Sequence, residues 1–190
     1  HLSTGPRIGP RDLNERMRKP LRVEDALAVK SGSTAVQDVS WEGWAFRMDQ
    51  SIKYQNETFR RGRIQGVPTN YASVTNMSFS EGRFFTESED LRRAPVCVLG
   101  VGVAEALFPH QPVVSGRGVQ LGGQAFTVVG VLEKRKGSFL GQSEEDNIIL
   151  IPYRTLRRLS PRSDWLFVII RAHPGELLQA MDDTESILRR

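Results

Sequence analysis

Hydrophobic and polar residues alternate along the chain in short blocks that predict a mixture of strands and helices. Trp44, Phe46, Met48 and Ile52 fall on one parity, which is typical of a half-buried strand. The pattern predicts strands at about residues 35–41, 43–54, 57–66, 95–99, 119–121, 124–131, 147–151 and 164–171. Helical spacing predicts helices at about residues 23–30, 102–108, 155–159 and 175–190.

Two short turns and one helix face follow from the same pattern. Gly122 and Gly123 separate two apolar runs, and a two-glycine link suits a primed turn whose residues have positive φ. Residues 55–56 are predicted to close a second hairpin. In the last helix the apolar face is predicted to carry Leu177, Met181, Thr184 and Leu188.

The order of these elements predicts a divided outer unit around an inserted one. Residues 67–93 are polar and loop-rich, with Phe79, Phe84 and Phe85 as predicted core anchors. The opening helix and strands resemble the closing strand and helix, while the middle differs from both. We therefore predict a leader at 1–20, an outer subdomain at 21–66 and 164–190, and an inserted subdomain at 67–163.

Charge adds a basic leader to a neutral body. The 190 residues carry 26 Lys and Arg against 22 Asp and Glu, a net charge of +4. Residues 1–22 hold six basic and two acidic residues, so they account for all four charges. A neutral body argues against a nucleic-acid-binding face and favours ordinary solvated surface charge. The leader either touches anionic lipid or is a flexible arm.

Membrane-spanning and disulfide-bonded architectures are both excluded for this stretch of sequence. No apolar run reaches the roughly 18–20 residues that span a bilayer. Cys97 is the single cysteine, and its apolar neighbours predict a buried thiol rather than a nucleophile. The chain opens at His1 without an initiator methionine or a signal core, which indicates processing or a piece of a longer protein.

The sequence predicts no catalytic, cofactor-binding or metal-ligating residue. His1, His110 and His173 are the three histidines, and none has metal-ligand spacing. The run from Gly100 to Gly102 lacks the third glycine of a dinucleotide turn, which favours a plain strand-to-helix link. The acidic residues 144–146 are predicted to form a solvated loop rather than a cation site. The partner-binding residues are left unknown.

Seven short segments, taken in order, resemble one family over about residues 21–190. The family is the periplasmic core domain of MacB-type ABC transporter permeases, within the FtsX-like permease group. The segments are Glu24-Asp25-Ala26, Glu81-Gly82-Arg83-Phe84-Phe85-Thr86, Val96-Cys97-Val98-Leu99-Gly100, Ala106-Leu107-Phe108, Pro112-Val113, residues 126–132 and Ile151-Pro152. The chain departs from the family pattern at Pro109 and in the stretched loop 112–117, which affects local loop geometry rather than the fold.

The resemblance implies an α+β fold, with a discontinuous porter-like α/β subdomain interrupted by a mixed α/β, Sabre-like subdomain. It implies an extracytoplasmic, periplasmic domain of a bacterial inner-membrane protein, placed between the first two membrane helices of a permease. Such a domain would relay ATP-driven movement in export or efflux. It would contact its own membrane helices and ABC ATPase, and a periplasmic adaptor or lipoprotein carrier, without catalysis or a cofactor. Dimerisation would be expected only in the full-length transporter.

Two other functions stay open at this point. One is an extracytoplasmic solute-binding or sensor domain with a pocket between the two subdomains. The other is a small hydrolase that uses Cys97 as nucleophile and His110 or His173 as base. Glu81 to Thr86 is interpreted as a turn with two core anchors rather than a binding site.

Overall fold

The computed structural model describes residues 20–44, 49–109, 111–134, 144–161 and 166–189. Within these ranges there are six helices: α1 (Val23–Gly32), α2 (Tyr71–Val74), α3 (Glu87–Leu91), α4 (Val101–Leu107), α5 (Tyr153–Leu159) and α6 (Leu177–Leu188). The ten strands are β1 (Val36–Trp44), β2 (Ile52–Tyr54), β3 (Glu57–Phe59), β4 (Arg63–Val67), β5 (Phe79–Gly82), β6 (Val96–Leu99), β7 (Gly118–Leu121), β8 (Gln124–Leu132), β9 (Ile148–Pro152) and β10 (Leu166–Ala172). A single 3-10 turn, Glu144–Asn147, precedes β9.

All ten strands belong to one mixed sheet. Its order is β10-β1-β4-β9-β6-β8-β7-β2-β3, and β5 pairs with β8 beside this path. The pairs β4–β9 and β6–β8 are parallel, whereas the remaining ladders are antiparallel. Helices cover the sheet without alternating regularly with its strands. The predicted α+β class is therefore confirmed.

The centre of the sheet is buried on both faces. Every residue of β6 and β9 is buried, and successive residues point to opposite faces, as a strand requires. Cys97 and Leu99 join one hydrophobic cluster with α4 and α5. Val96 and Val98 join the other cluster with Phe85. The sequence of a strand that is covered on both faces is a continuous apolar run, and β6 and β9 have such sequences.

Strands β1 and β10 form a separate edge layer with α1 and α6. Their ladder runs over seven residue pairs, from Val36 opposite Ala172 to Gly43 opposite Leu166. The two helices share one small hydrophobic cluster with these strands. The helices also touch each other, because the Ser33 hydroxyl donates to Asp183 over 2.6 Å. The segments nearest both ends of the described chain are thus held in one layer.

The hairpin predictions are confirmed. Gly122 and Gly123 both have positive φ, 56° and 81°, and connect β7 to β8. The turn at residues 55–56 connects β2 to β3. The single strand predicted at 57–66 is wrong, because residues 60–62 leave the ladder and separate β3 from β4. In the strand predicted at 43–54, β1 ends at Trp44 and β2 begins at Ile52, while Phe46 and Met48 lie outside the described residues.

The last helix is confirmed, but the residues predicted on its apolar face are not the ones that it buries. Ala180 is the buried residue of α6, whereas Leu177 is 53% and Leu188 39% exposed. Ala180 packs in the cluster of β1, β10 and α1, and Ile187 packs on Gly32 of α1, so these contacts turn the leucines outward. The predicted anchors Phe79, Phe84 and Phe85 are confirmed as members of a core cluster. They lie on or beside β5 and α3, which with α2 occupy the region predicted as mainly loop.

The division of the chain at residues 67 and 163 stays a prediction. Strands β2 and β4, which precede residue 67, are hydrogen-bonded to β7 and β9, which follow it. The sheet is consequently continuous from the edge layer to the centre.

Candidate functional site

The cysteine and histidine that were candidates for hydrolysis lie apart. Cys97 is fully buried in β6, and burial raises the pKa of its thiol. His173 is exposed and follows β10. Four strand spacings separate β6 from β10, or roughly 19 Å. His110 and His1 lie outside the described residues. The described residues give the hydrolase hypothesis no support.

The glycines beside β6 serve packing. Gly100 precedes α4, and its N–H donates to the Ile148 carbonyl over 2.8 Å. A Cβ atom on Gly102 would lie 3.0 Å from Asn147 Oδ1 and 3.1 Å from the Asp146 carbonyl. This contact supports the strand-to-helix interpretation of the glycine pair. The solvated loop predicted for 144–146 is wrong at Asp146, which is buried under α4.

Two further properties concern metal sites and membrane spans. Across the five described ranges, no group of three or more His, Cys, Asp and Glu side chains is arranged to hold a metal ion. Over the same residues, no helix combines the length and apolar character needed to cross a bilayer.

The most distinctive geometry lies where the edge layer meets the central sheet, which we call the junction. It comprises residues 38–44 of β1, strand β4, the segment 68–71 and the N-terminal part of α5. Among the described residues, two pairs join β1 to β4, Gly43 with Gly66 and Trp44 with Gln65. Leu156 of α5 packs on both glycines, and a Cβ atom on Gly66 would overlap it.

Asn70 supplies three of the polar contacts of the junction. Its amide donates to Asp38 Oδ2 over 3.1 Å and to the Val39 carbonyl over 2.9 Å, and it accepts from the Ser40 hydroxyl over 3.2 Å. Burial of Asp38 acts to raise its pKa. Hydrogen bonds from Lys30, the Val39 N–H and Asn70 outweigh burial and hold that pKa below its ordinary value. A single amide therefore ties the residues before α2 to the middle of β1.

Aromatic and charged side chains complete the junction. Glu42 accepts from the Tyr71 hydroxyl over 2.9 Å and from Trp44 Nε1 over 3.2 Å. The Trp44 ring lies between two neighbours, with Arg63 Cζ 4.9 Å and the Phe167 centroid 5.4 Å from its own centroid. These contacts fix the end of β1 to β4, β10 and α2 at once. The arrangement can couple the edge layer mechanically to the rest of the domain.

The segment Glu81 to Thr86 has a structural role at each end. At the first, the Glu81 carboxylate accepts from the backbone N–H of Ser115 over 2.6 Å and of Val114 over 3.0 Å. These bonds, led by the one from Ser115, lower the pKa of Glu81. The stretched loop at 112–117 is thereby fastened to β5.

At the second end, Arg83 binds Glu89 through two hydrogen bonds of 2.8 Å. Thr86 caps α3, and Glu89 completes a capping box with it. The helix then reaches α5, because Asp90 accepts from the backbone N–H of Arg154 over 3.0 Å. Phe84 and Phe85 stack with centroids 4.0 Å apart in the core. The two predicted core anchors are confirmed, whereas the predicted turn is wrong, because Glu81 and Gly82 belong to β5.

Sequence reasoning missed the two residues that organise these contacts. Nothing in the pattern around Asn70 distinguishes it from an ordinary loop residue, so its role required the fold. Glu89 was detectable, because Thr86 and Glu89 stand at the spacing of a capping box before a short helix.

The comparisons of this chain with a protein family, with related sequences and with a solved structure agree with one another. Residues 2–185 match the family described as the MacB-like periplasmic core domain. The macrolide export ATP-binding/permease protein MacB of Shigella dysenteriae is 36% identical over 165 residues, covering 86% of this chain and 24% of that protein. The pyoverdine export ATP-binding/permease protein PvdT of Pseudomonas syringae is 34% identical over 129 residues, 67% of this chain and 20% of that protein.

A solved structure shares the fold. The periplasmic region of MacB from Actinobacillus actinomycetemcomitans matches with a TM-score of 0.73 at 17% identity, covering 94% of this chain and 79% of that one. The chain spans less than a quarter of the length of the two transport proteins.

Proposed function

The chain belongs to the family of MacB-like periplasmic core domains, and we propose that it transmits ATP-driven movement within a bacterial ABC transporter permease. In this proposal the domain stands in the periplasm, attached to an inner-membrane permease. It takes part in export and contacts the cargo, an adaptor protein or a lipoprotein carrier. The hydrolysis of ATP takes place elsewhere in the parent transporter, and the domain itself is not catalytic.

The contact between α1 and α6 carries the proposal. Ser33 binds Asp183, and the side chain of Ile187 packs so closely on Gly32 that a Cβ atom there would lie 2.8 Å from it. If membrane helices connect to the segments before α1 and after α6, their relative movement enters this helix pair. The long β1–β10 ladder would pass it on as one body.

The junction then determines what reaches the central sheet. Two backbone pairs, the Asn70 amide and the Glu42–Tyr71 bond are among the contacts that join the edge layer to the rest, together with the stacking of Arg63 on Trp44. A weak junction would let the edge layer move alone, whereas an intact junction makes both parts move together. Transmission therefore requires the side-chain contacts as well as the backbone pairs.

The test compares ATP hydrolysis with export in the parent transporter, reconstituted in lipid vesicles. The double variant Asn70→Ala/Tyr71→Phe removes the hydrogen bonds that the Asn70 side chain and the Tyr71 hydroxyl make to β1. We expect ATP hydrolysis to persist while export of the transporter's substrate falls at least about tenfold, since a lost hydrogen bond network weakens coupling by a few kcal/mol.

The matched control is Ser73→Ala, which removes an exposed hydroxyl bond to the Asn70 carbonyl within the same short helix. This variant should export normally. Undiminished export by the double variant, at equal abundance in the membrane, would refute the transmission role of the junction.

A further inference from the structure

Strand β10 is the outermost strand of the sheet next to β1. Among the described residues, no strand pairs with its outer side. Natural edge strands are usually protected by proline, by charged side chains such as lysine, by a bulge or by shortness. Strand β10 has seven residues and no proline, its one charged side chain is Arg171, which is engaged with Asn76, and the register shift of this ladder lies in β1, after Val36. This edge is therefore long, regular and mainly apolar, which suits it to pairing with another strand.

The sequence of β10 is complementary to itself in the antiparallel direction. If the two copies of Ile169 pair with each other across a two-fold axis, Phe167 of one copy stands opposite Arg171 of the other, and Val168 stands opposite Ile170. A guanidinium beside an aromatic ring and a pair of β-branched residues are both favourable cross-strand pairs. Because the axis passes between the two copies of Ile169, each of these favourable pairs occurs twice.

Side-chain exposure agrees with this pairing. Phe167 is 44% exposed although it contacts Trp44 on its inner side. On the same face, Ile169 packs on a core cluster and Arg171 donates to Asn76. Phe167 and Arg171, which form the proposed cross-strand pair, are thus both held in place. An exposed aromatic ring on a fixed strand loses little conformational entropy when a partner covers it.

Helix α6 presents further apolar surface to a second copy. Asp183 and Ile187 face α1 and Ala180 faces the sheet, so helical periodicity places Leu177, Met181 and Leu188 on the other flank. A two-fold axis perpendicular to the joined sheet keeps both α6 helices on one face. The exposed leucines of the two copies then lie on the same side of the joined strands.

We infer that the outer edge of β10 pairs with β10 of a second copy of this chain, in the antiparallel register centred on Ile169. The occupant is a second copy rather than an unrelated strand because the edge complements its own sequence. Seven residues of edge bury less surface than a permanent dimer needs, so the chain alone associates weakly. Tethering two copies in one assembly raises their effective concentration and favours the pairing. This inference does not depend on the cargo or on transmission through the junction.

The first test uses sedimentation equilibrium of the 190-residue chain over a concentration series. Wild type should form dimers in the range of hundreds of micromolar, on the order expected for a small interface. Phe167→Lys places like charges opposite each other and should weaken the dimer at least about tenfold. Phe167→Lys/Arg171→Glu restores an opposite-charge pair and should recover most of the association. The control Leu91→Lys changes a residue that is 54% exposed on α3, and it should associate as wild type does.

The second test determines the register by cross-linking. In the register centred on Ile169, position 167 of one copy is far from position 167 of the other, and the same holds for position 171. Neither Phe167→Cys alone nor Arg171→Cys alone should therefore cross-link efficiently with a short bifunctional thiol reagent. An equimolar mixture should give a heterodimer, while the buried Cys97 stays silent.

Several results would overturn the inference. A monomer at all concentrations would do so, as would a dimer that is insensitive to Phe167→Lys. If Phe167→Cys and Arg171→Cys gave no more cross-linked heterodimer than either gives with Leu91→Cys, the cross-links would come from random collisions rather than from pairing of β10. Preferential cross-linking of Phe167→Cys to itself would mean a different register.

Discussion

Gly82 faces Gly130 across the ladder between β5 and β8, and neither position has room for a Cβ atom. On Gly82, such an atom would overlap the Val129 carbonyl and lie 2.5 Å from Ser115 Oγ. On Gly130, it would overlap the Arg83 carbonyl and lie 3.0 Å from the Arg83 nitrogen. The chain crosses itself backbone to backbone at this point, immediately before the two stacked phenylalanines.

Gly130→Ala is expected to destabilise the domain by about 2 kcal/mol, because the obstructing atoms belong to the backbone and cannot turn away. Thermal unfolding should shift down by roughly 4–8 °C for a domain of this size. Gly118→Ala is the matched control, since Gly118 also lies in a strand and a Cβ atom there would meet nothing within 4 Å. Equal melting temperatures for the two variants would contradict the close crossing.

Glu89 makes stability depend on pH in the acid range. The two hydrogen bonds from Arg83, followed by those from Thr86, outweigh burial and lower the pKa of Glu89 from 4.5 to about 2. A group whose pKa is lower in the folded state stabilises the fold above its unfolded value. Its contribution is therefore full above pH 4.5 and is lost as the pH falls towards 2.

Glu89→Gln should lower the free energy of unfolding by about 1–2 kcal/mol at pH 7 and remove that part of the acid dependence. Urea unfolding at a series of pH values from 7 to 2 measures both effects. Glu87→Gln makes the same change of charge in the same turn of α3 and is expected to leave the acid profile nearly unaltered. A Glu89→Gln profile parallel to that of wild type would show that the carboxylate titrates normally.

Asn70→Ala should raise the pKa of Asp38 towards its ordinary value, because one of the hydrogen bonds that stabilise the ionised carboxylate is lost. Titration of the Asp38 carboxyl carbon by NMR measures this change directly. The same variant leaves the Val39 carbonyl without its side-chain donor and is expected to cost about 1–2 kcal/mol of stability. Ser73→Ala should change neither the pKa of Asp38 nor the stability. If it raised the pKa as much as Asn70→Ala does, the effect would belong to α2 in general rather than to the Asn70 side chain.

Cys97 is expected to resist alkylation in the folded domain at pH 8 and to react fully in denaturant. Burial both raises its pKa and blocks access to the reagent. Leu91→Cys provides an exposed thiol in the same chain, so exactly one of its two thiols should react under native conditions. Rapid native modification of Cys97 in wild type would revive the nucleophile hypothesis.

Local chemistry explains which parts of the fold were predictable. The turn at Gly122 and Gly123 follows from backbone sterics alone, because both residues adopt positive φ and the flanking runs are apolar. The core strands β6 and β9 are visible as uninterrupted apolar runs, since both of their faces are covered.

The features that escaped prediction depend on contacts distant in sequence. The buried face of α6 is centred on Ala180 because that residue packs with β1, β10 and α1, whereas periodicity favours the larger leucines. Asn70 acquires its role from β1, about thirty residues earlier in the chain, as the separations in its hydrogen bonds show. Asp146 is buried, and Gly102 of α4 lies against it.

The continuity of the sheet has a consequence for recombination between related genes. If residues 67–163 alone were exchanged, β9 would come from one parent and its partner β4 mainly from the other, and the same would hold for β7 and β2. In each hybrid, two ladders would then join strands from different parents. Exchange of residues 52–161 would carry both partners of each ladder together, and would cut mainly the two pairs between β1 and β4. Viable chimaeras should therefore have their crossover points before β2 rather than after β4.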